Sequence, residues 1–156
     1  MIEMELFGDR ELLKKLDAEN LVGPPLRHAF ESSTELIEGE VKLGLRGGAG
    51  VDTGRLRQGI THEVASDPIP LWGKVGTAVK YARYVETGTK PHWVGVRHLE
   101  GWARRHHVNV YAVQRKIAKH GTPARQMFYI GWKSSELDVE NYFQECAKAI
   151  EERFGK

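Results

Sequence analysis

The sequence predicts an α+β fold: a small antiparallel sheet packed by a long N-terminal helix and a C-terminal helix, with an inserted helical pair. Three observations carry this. Leu26, Phe30, Ile37 and Val41 recur at helical spacing. The segments 60–65 and 71–79 read as strands around a turn. Val139, Tyr142, Phe143, Cys146 and Ile150 form a second helical stripe near the end of the chain. At 156 residues, with ordinary apolar and charged fractions, the chain suits a single domain that buries a core without disulfides or metals.

In chain order, Asp9 is placed to cap a short helix to about Leu16, with Leu12, Leu13 and Leu16 on one face. "GPP" at 23–25 stops and restarts the chain, because proline is tolerated in a first helical turn. A helix over 25–44 follows, its stripe completed by Ser33 and Thr34, with Glu31, Glu35, Glu38 and Glu40 mostly away from it. "GLRGGAG" at 44–50 ends it as a flexible loop extending to about residue 54. Asp52 or Thr53 can cap a short turn that carries Leu56 inward and Arg55 and Arg57 outward. "ITHEVA" and "LWGKVGTAV" form the hairpin, joined by the turn residues of "SDPIP".

"YARYVETGTKPH" at 81–92 then reads as the exit from the sheet, with Tyr81, Tyr84 and Val85 packed inward and Gly88 permitting a sharp turn. Glu86 beside that turn can accept hydrogen bonds from backbone N–H groups or pair with Arg55. Residues 97–120 read as two helices. Asn109 caps the second, Val113 and Ile117 lie inside it, and Gly121 stops it. "TPARQMFYIGW" at 122–132 is apolar and reads as a third strand, and the last helix is expected over 138–153.

Charge is unevenly spread although the chain nets only +2. Residues 1–44 carry ten acids against five bases. Residues 97–125 carry Arg97, Arg104, Arg105, Arg115, Lys116, Lys119 and Arg125 against Glu100. Two such regions can pair within or between subunits, or the basic one can meet a polyanion. Cys146 is the single cysteine, so no internal disulfide forms and a reducing compartment is expected. The acidic start "MIEMELFGDRE" lacks the apolar run of a signal peptide, and no apolar stretch approaches the roughly 20 residues of a membrane span. Synthesis in the cytoplasm without membrane association is expected.

Catalytic patterns fail on inspection. After Gly54 come Arg55 and Leu56 where a phosphate-binding loop needs Lys and a hydroxyl residue. The glycines at 48, 50 and 54 miss the dinucleotide spacing, and a helix precedes them where a strand is required. His62-Glu63 opens like a zinc-protease motif, but Ser66 occupies the second ligand position. His98 and His106 lack a nearby carboxylate or cysteine, nothing fixes the distance between Glu63 and Glu86, and Cys146 falls in a core stripe. No enzyme, cofactor or metal is expected. The basic pair at 97–120 resembles a helix-turn-helix in outline, and Arg104, Arg105, Arg115, Lys116 and Lys119 can reach phosphates or an acidic partner. Base reading is disfavoured, because the first turn lacks a glycine. Nonspecific DNA contact, or contact with an acidic neighbour, is favoured over base reading.

Three segments recur in a telling order: Asp52, Thr53, Gly54, Arg55 and Leu56 after a glycine-rich loop; Tyr81, Tyr84, Val85, Glu86, Gly88 and Thr89; and Pro123, Ala124, Arg125 and Phe128 ahead of a final helix. This order resembles the bacteriophage tail-component family of long-tailed phages, the head–tail joining, tail-completion or neck proteins, over about residues 25–154. Gln126-Met127-Phe128 stands where the family usually has Pro-Phe, and the pair at 97–120 is longer than the loop many members carry. The resemblance implies a non-enzymatic virion component of an active phage or a prophage. It would be made in the host bacterial cytoplasm and assembled as a ring of six subunits at the junction of tail and capsid. Its partners would be itself and the connector, neck and tail-tube proteins. A ring needs two different patches per subunit. The acidic end and the basic middle supply candidates, with Trp72, Trp93, Trp102 and Trp132 as apolar anchors, at least two of which are expected in ordinary core.

Overall fold

A computed structural model describes residues 21–45, 53–65, 69–70 and 72–154. The helix predicted after Asp9, most of the glycine-rich loop, and Asp52 lie outside these residues. Among them the fold is mixed helix and sheet, with six helices and one two-stranded antiparallel sheet.

Helix α1 spans Gly23–Gly44. Pro24 and Pro25 occupy its first turn, whose N–H groups have no intrahelical acceptor to lose. The predicted stripe is the buried one: Leu26, Phe30, Ser33, Thr34 and Val41 are buried, and Ile37 packs half-buried against the core. The Thr34 hydroxyl donates to the Phe30 carbonyl at 2.8 Å, which lets a polar side chain occupy the buried face. Helix α2, Arg55–Gln58, is one turn that sets Leu56 into the core. Its N-terminal flank is Gly54 at φ +74°, with no side-chain cap, so Thr53 does not play the capping role expected of it.

Strand β1, Ile60–Val64, pairs antiparallel with β2, Gly73–Thr77, Ile60 opposite Thr77 and Val64 opposite Gly73. The second strand is shorter than the predicted 71–79. At its start a Cβ on Gly73 would lie 2.6 Å from Thr34 Cγ2, so the hairpin meets α1 where only glycine fits. After the sheet come α3, Ala82–Thr87; α4, Val96–Arg105; α5, Val110–His120; and α6, Met127–Phe154.

Two expectations are overturned here. The segment 122–132 is not a third strand. Only Thr122 makes a strand-like bridge, to Thr89, and α6 begins at Met127 rather than at 138. The misleading signal has a physical source. The inner face of the first turns of α6 is Met127, Gly131 and Ser135, all buried at a spacing of four. Small residues are needed there, because a Cβ on Gly131 would lie 2.6 Å from Val41 Cγ2 and 3.0 Å from the Val41 nitrogen. The helical stripe is therefore invisible to a hydrophobicity count, while Phe128, Tyr129 and Ile130 imitate a strand. The second correction concerns Tyr81 and Tyr84, which were expected to pack inward. They are exposed, flanking and within the short helix α3; Ala82 takes their place in the core, and Val85 packs against it as expected.

The core has two parts. One gathers Val41, Leu45, Leu56, Ile60, Ala82 and Met127; the other gathers Leu26, Ala29, Phe30, Ile69 and Cys146, with Tyr142, Phe143 and Ile150 of α6 against it. Phe30 and Phe143 meet edge to face with ring centroids 5.2 Å apart. Burial pushes the Cys146 thiol pKa up, consistent with a sulfur used for packing.

Candidate functional site

The three motif segments converge on one junction. Leu56 of the first segment lies in the first core cluster, and Val85 of the second and Phe128 of the third pack against it. Next to them, the N-terminus of α6 abuts α3. Four first-turn N–H groups of any helix lack intrahelical acceptors, and here a carboxylate from a distant segment supplies two. Glu86 Oε2 accepts from the Phe128 N–H at 3.0 Å, and Glu86 Oε1 from the Tyr129 N–H at 3.3 Å. The negative charge also faces the positive end of the helix dipole. Of the two partners expected for Glu86, backbone N–H groups are the ones it takes. The backbone reinforces the joint: the Arg125 N–H donates to the Val85 carbonyl at 2.9 Å, and the Gln126 N–H to the Glu86 carbonyl at 3.1 Å. Gln126 adopts φ +50°. With its N–H engaged and its φ positive, that position is closed to proline.

A second joint lies one turn away. Thr89 and Thr122 exchange main-chain hydrogen bonds, at 3.0 Å from the Thr89 N–H and 3.3 Å from the Thr122 N–H, and their hydroxyls are 2.9 Å apart. Each threonine follows a glycine in the same unusual conformation, φ +71° and ψ −175° at Gly88 and φ +72° and ψ −158° at Gly121. A Cβ at Gly88 would lie 2.5 Å from the Thr122 oxygen, and one at Gly121 only 1.9 Å from the Thr89 oxygen. Gly88 therefore does permit the turn expected of it, and it also makes room for the opposing Thr122 segment.

This bridge closes the base of an arm, residues 90–121. The predicted Asn109 cap is present: its side chain accepts from the Tyr111 and Ala112 N–H groups at 2.9 and 3.2 Å. Gly121 ends α5 as expected. Gln114, buried, donates to the Val94 carbonyl at 2.7 Å and holds the segment before α4 along α5. Arg104, Arg105, Arg115, Lys116 and Lys119 are all exposed on this arm. Trp102 is half-buried and stacks on His106 with centroids 4.6 Å apart.

The remaining motif residues and anchors are placed as follows. Arg55 is exposed, as is Thr53. None of the four tryptophans is fully buried, and Trp93 is 71% exposed. Tyr84, Tyr129, Ile130 and Leu137 are also more than half exposed. Glu63 lies apart from the role Glu86 takes. It lines an open polar cleft of about 460 Å³ with Arg27, Glu31, Glu35, His62 and Val64, between α1 and β1. Glu38 joins the same two elements, bonding Lys42 through one oxygen and His62 through the other. Burial by itself would raise the Glu38 pKa, but the hydrogen bonds and charges of Lys42 and His62 outweigh it and hold the carboxyl below its usual value.

Among the described residues no three potential metal ligands converge, and no helix is long and apolar enough to cross a membrane. No family model matches the chain, and neither a curated protein nor a solved structure is significantly similar to it.

Sequence reasoning missed Gly121 and Thr122 as the counterpart of Gly88 and Thr89. The signal was there, since "GT" occurs at both 88–89 and 121–122, one at each end of the inserted pair.

Proposed function

We propose that this chain is a non-enzymatic structural protein of a phage or prophage virion, acting at the neck or tail end. On this reading it assembles with copies of itself into a ring, completes the tail and joins it to the head connector. The observation that carries the reading is the junction itself. The three ordered segments behind the family resemblance are far apart in the chain, yet they share one core cluster and one capped helix end. A motif set that builds a joint rather than a cleft suits a part that must hold its shape under load.

The exposed apolar side chains add support. Tyr84, Trp93, Tyr129, Ile130 and Leu137 are unusually exposed for their size and suit contacts that close on assembly. The basic arm and the acidic cleft provide unlike patches of the kind a head-to-tail ring uses, where surface charges set register more than strength.

The test pairs electron microscopy of the purified protein with deletion of its gene. Rings on their own or on tails, and unjoined heads and tails after deletion, are expected. A protein that stays monomeric under all conditions, from a genome whose deletion still yields joined, infectious particles, would overturn the reading. The alternative is a DNA-binding module using the basic helical pair at 97–120, whose exposed lysines and arginines can meet phosphates as well as base edges.

A further inference from the structure

We infer that the outer face of α5 is a docking surface for the phosphate backbone of duplex DNA, contacted without regard to sequence. Residues 90–121 contain seven lysines and arginines and one acid, Glu100, although the whole chain nets only +2. The rest of the chain is therefore net negative, and the positive charge is concentrated on the arm. On α5 itself there is no acid. Arg115, Lys116 and Lys119 are exposed on the side opposite buried Gln114, and none of the three is ion-paired among the described residues.

The spacing suits the ligand. Arg115 and Lys119 are four residues apart, roughly 6 Å along a helix axis. Alternate phosphates of one DNA strand are roughly 7 Å apart along the duplex. One exposed aromatic side chain adjoins the cations. Tyr111, 59% exposed, precedes Arg115 by one turn, and the Arg115 Nε–H donates to the Tyr111 carbonyl at 3.4 Å.

Duplex is favoured over single strand by shape. Single strands are tracked by basic grooves with aromatic platforms, whereas the outer face of a helix is convex. Duplex is favoured over an acidic protein because three cations with no interspersed carboxylate match an evenly charged rod, and neutralising them releases its counterions.

The experiment measures binding of the full chain to a fluorescent random-sequence duplex as salt is varied. Three phosphate contacts predict a log–log slope of about −2.7, so that affinity falls about 40-fold between 50 and 200 mM salt. Arg115→Gln, Lys116→Gln and Lys119→Gln should each flatten the slope by about one unit, and the triple variant should not bind. Lys148→Gln, on α6, should change nothing. Thermal melting shows whether the triple variant remains folded, and Arg115→Lys should keep the wild-type slope. Duplexes of unrelated sequence should bind alike. No binding at low salt overturns the inference, as does a slope unchanged in the folded triple variant. So does equal or tighter binding of single-stranded DNA or of polyglutamate of matched charge. The inference does not rest on ring assembly: rings without this salt slope sink it, and the slope without rings leaves it standing.

Discussion

Gly88 and Gly121 hold the same positive-φ conformation on opposite sides of one bridge, and each sits where the other's neighbouring threonine leaves no space for a methyl group. The arm is thus fastened by a backbone bridge that the two threonine hydroxyls reinforce, and the fastening depends on two hydrogen atoms in place of side chains.

Gly121→Ala should therefore open the bridge. The backbone conformation by itself costs alanine about 1–3 kcal/mol, and the Thr89 carbonyl must also move. Amide exchange by NMR should show Thr89 and Thr122 losing protection while the amides of α1 and α6 keep theirs. Unchanged protection at both threonines would contradict the described geometry.

Glu86→Ala removes both acceptors at the start of α6 and should destabilise the fold by about 1–3 kcal/mol in urea denaturation. Glu86→Gln keeps one carbonyl acceptor without the charge and should lose less. No reaction is expected to depend on it. A variant Glu86→Ala that folds with the wild-type midpoint and assembles normally would leave the carboxylate without the structural role assigned to it.

At the contact of α1 with α6, Gly131→Ala should cost about 1–3 kcal/mol by overpacking. Part of that clash is with a methyl group of Val41 and part with its backbone, so Val41→Ala should relieve some of it but not all. A double-mutant cycle should give a coupling of roughly 0.5–3 kcal/mol, whereas strict additivity would mean that the two positions do not touch.

Glu38 predicts a pH dependence. Its carboxyl has a lowered pKa in the folded protein, so the stability it contributes is fully present above the ordinary value of 4.5 and is lost as pH falls through the lowered one. Its partners are partly exposed, so the contribution is expected within about 1 kcal/mol. The melting temperature of Glu38→Gln should fall below that of wild type near neutrality and converge with it in acid. A gap that widened on acidification would reverse the sign argued here.

The long helices were legible because their stripes are large and apolar: Leu26, Phe30 and Val41 in α1, and Phe143, Cys146 and Ile150 in α6. Asn109 and Gly121 were legible because a cap and a stop are local chemistry. The first turns of α6 were not, since tight helix contact selects Gly131 and Ser135, which carry no hydrophobic signal. Tyr81 and Tyr84 misled for the opposite reason: aromatic residues usually mark the interior, and here the small Ala82 takes that place. Glu86 showed its need for N–H donors but not their address, which lies some forty residues on and is set by the fold.

The pairing of α1 with α6 also orders events in time. Their partnership joins segments far apart in the chain, so when α1 leaves the ribosome only the β1–β2 hairpin can cover part of its apolar stripe, and the rest waits until α6 has been made. The arm between them relies on neighbours close in sequence and can form while translation continues. During that interval the emerging chain presents a helix only partly covered by the sheet and a finished, charged helical hairpin. Chaperone capture should therefore be most effective at α1, and a stall just before Met127 should leave a nascent chain prone to aggregate.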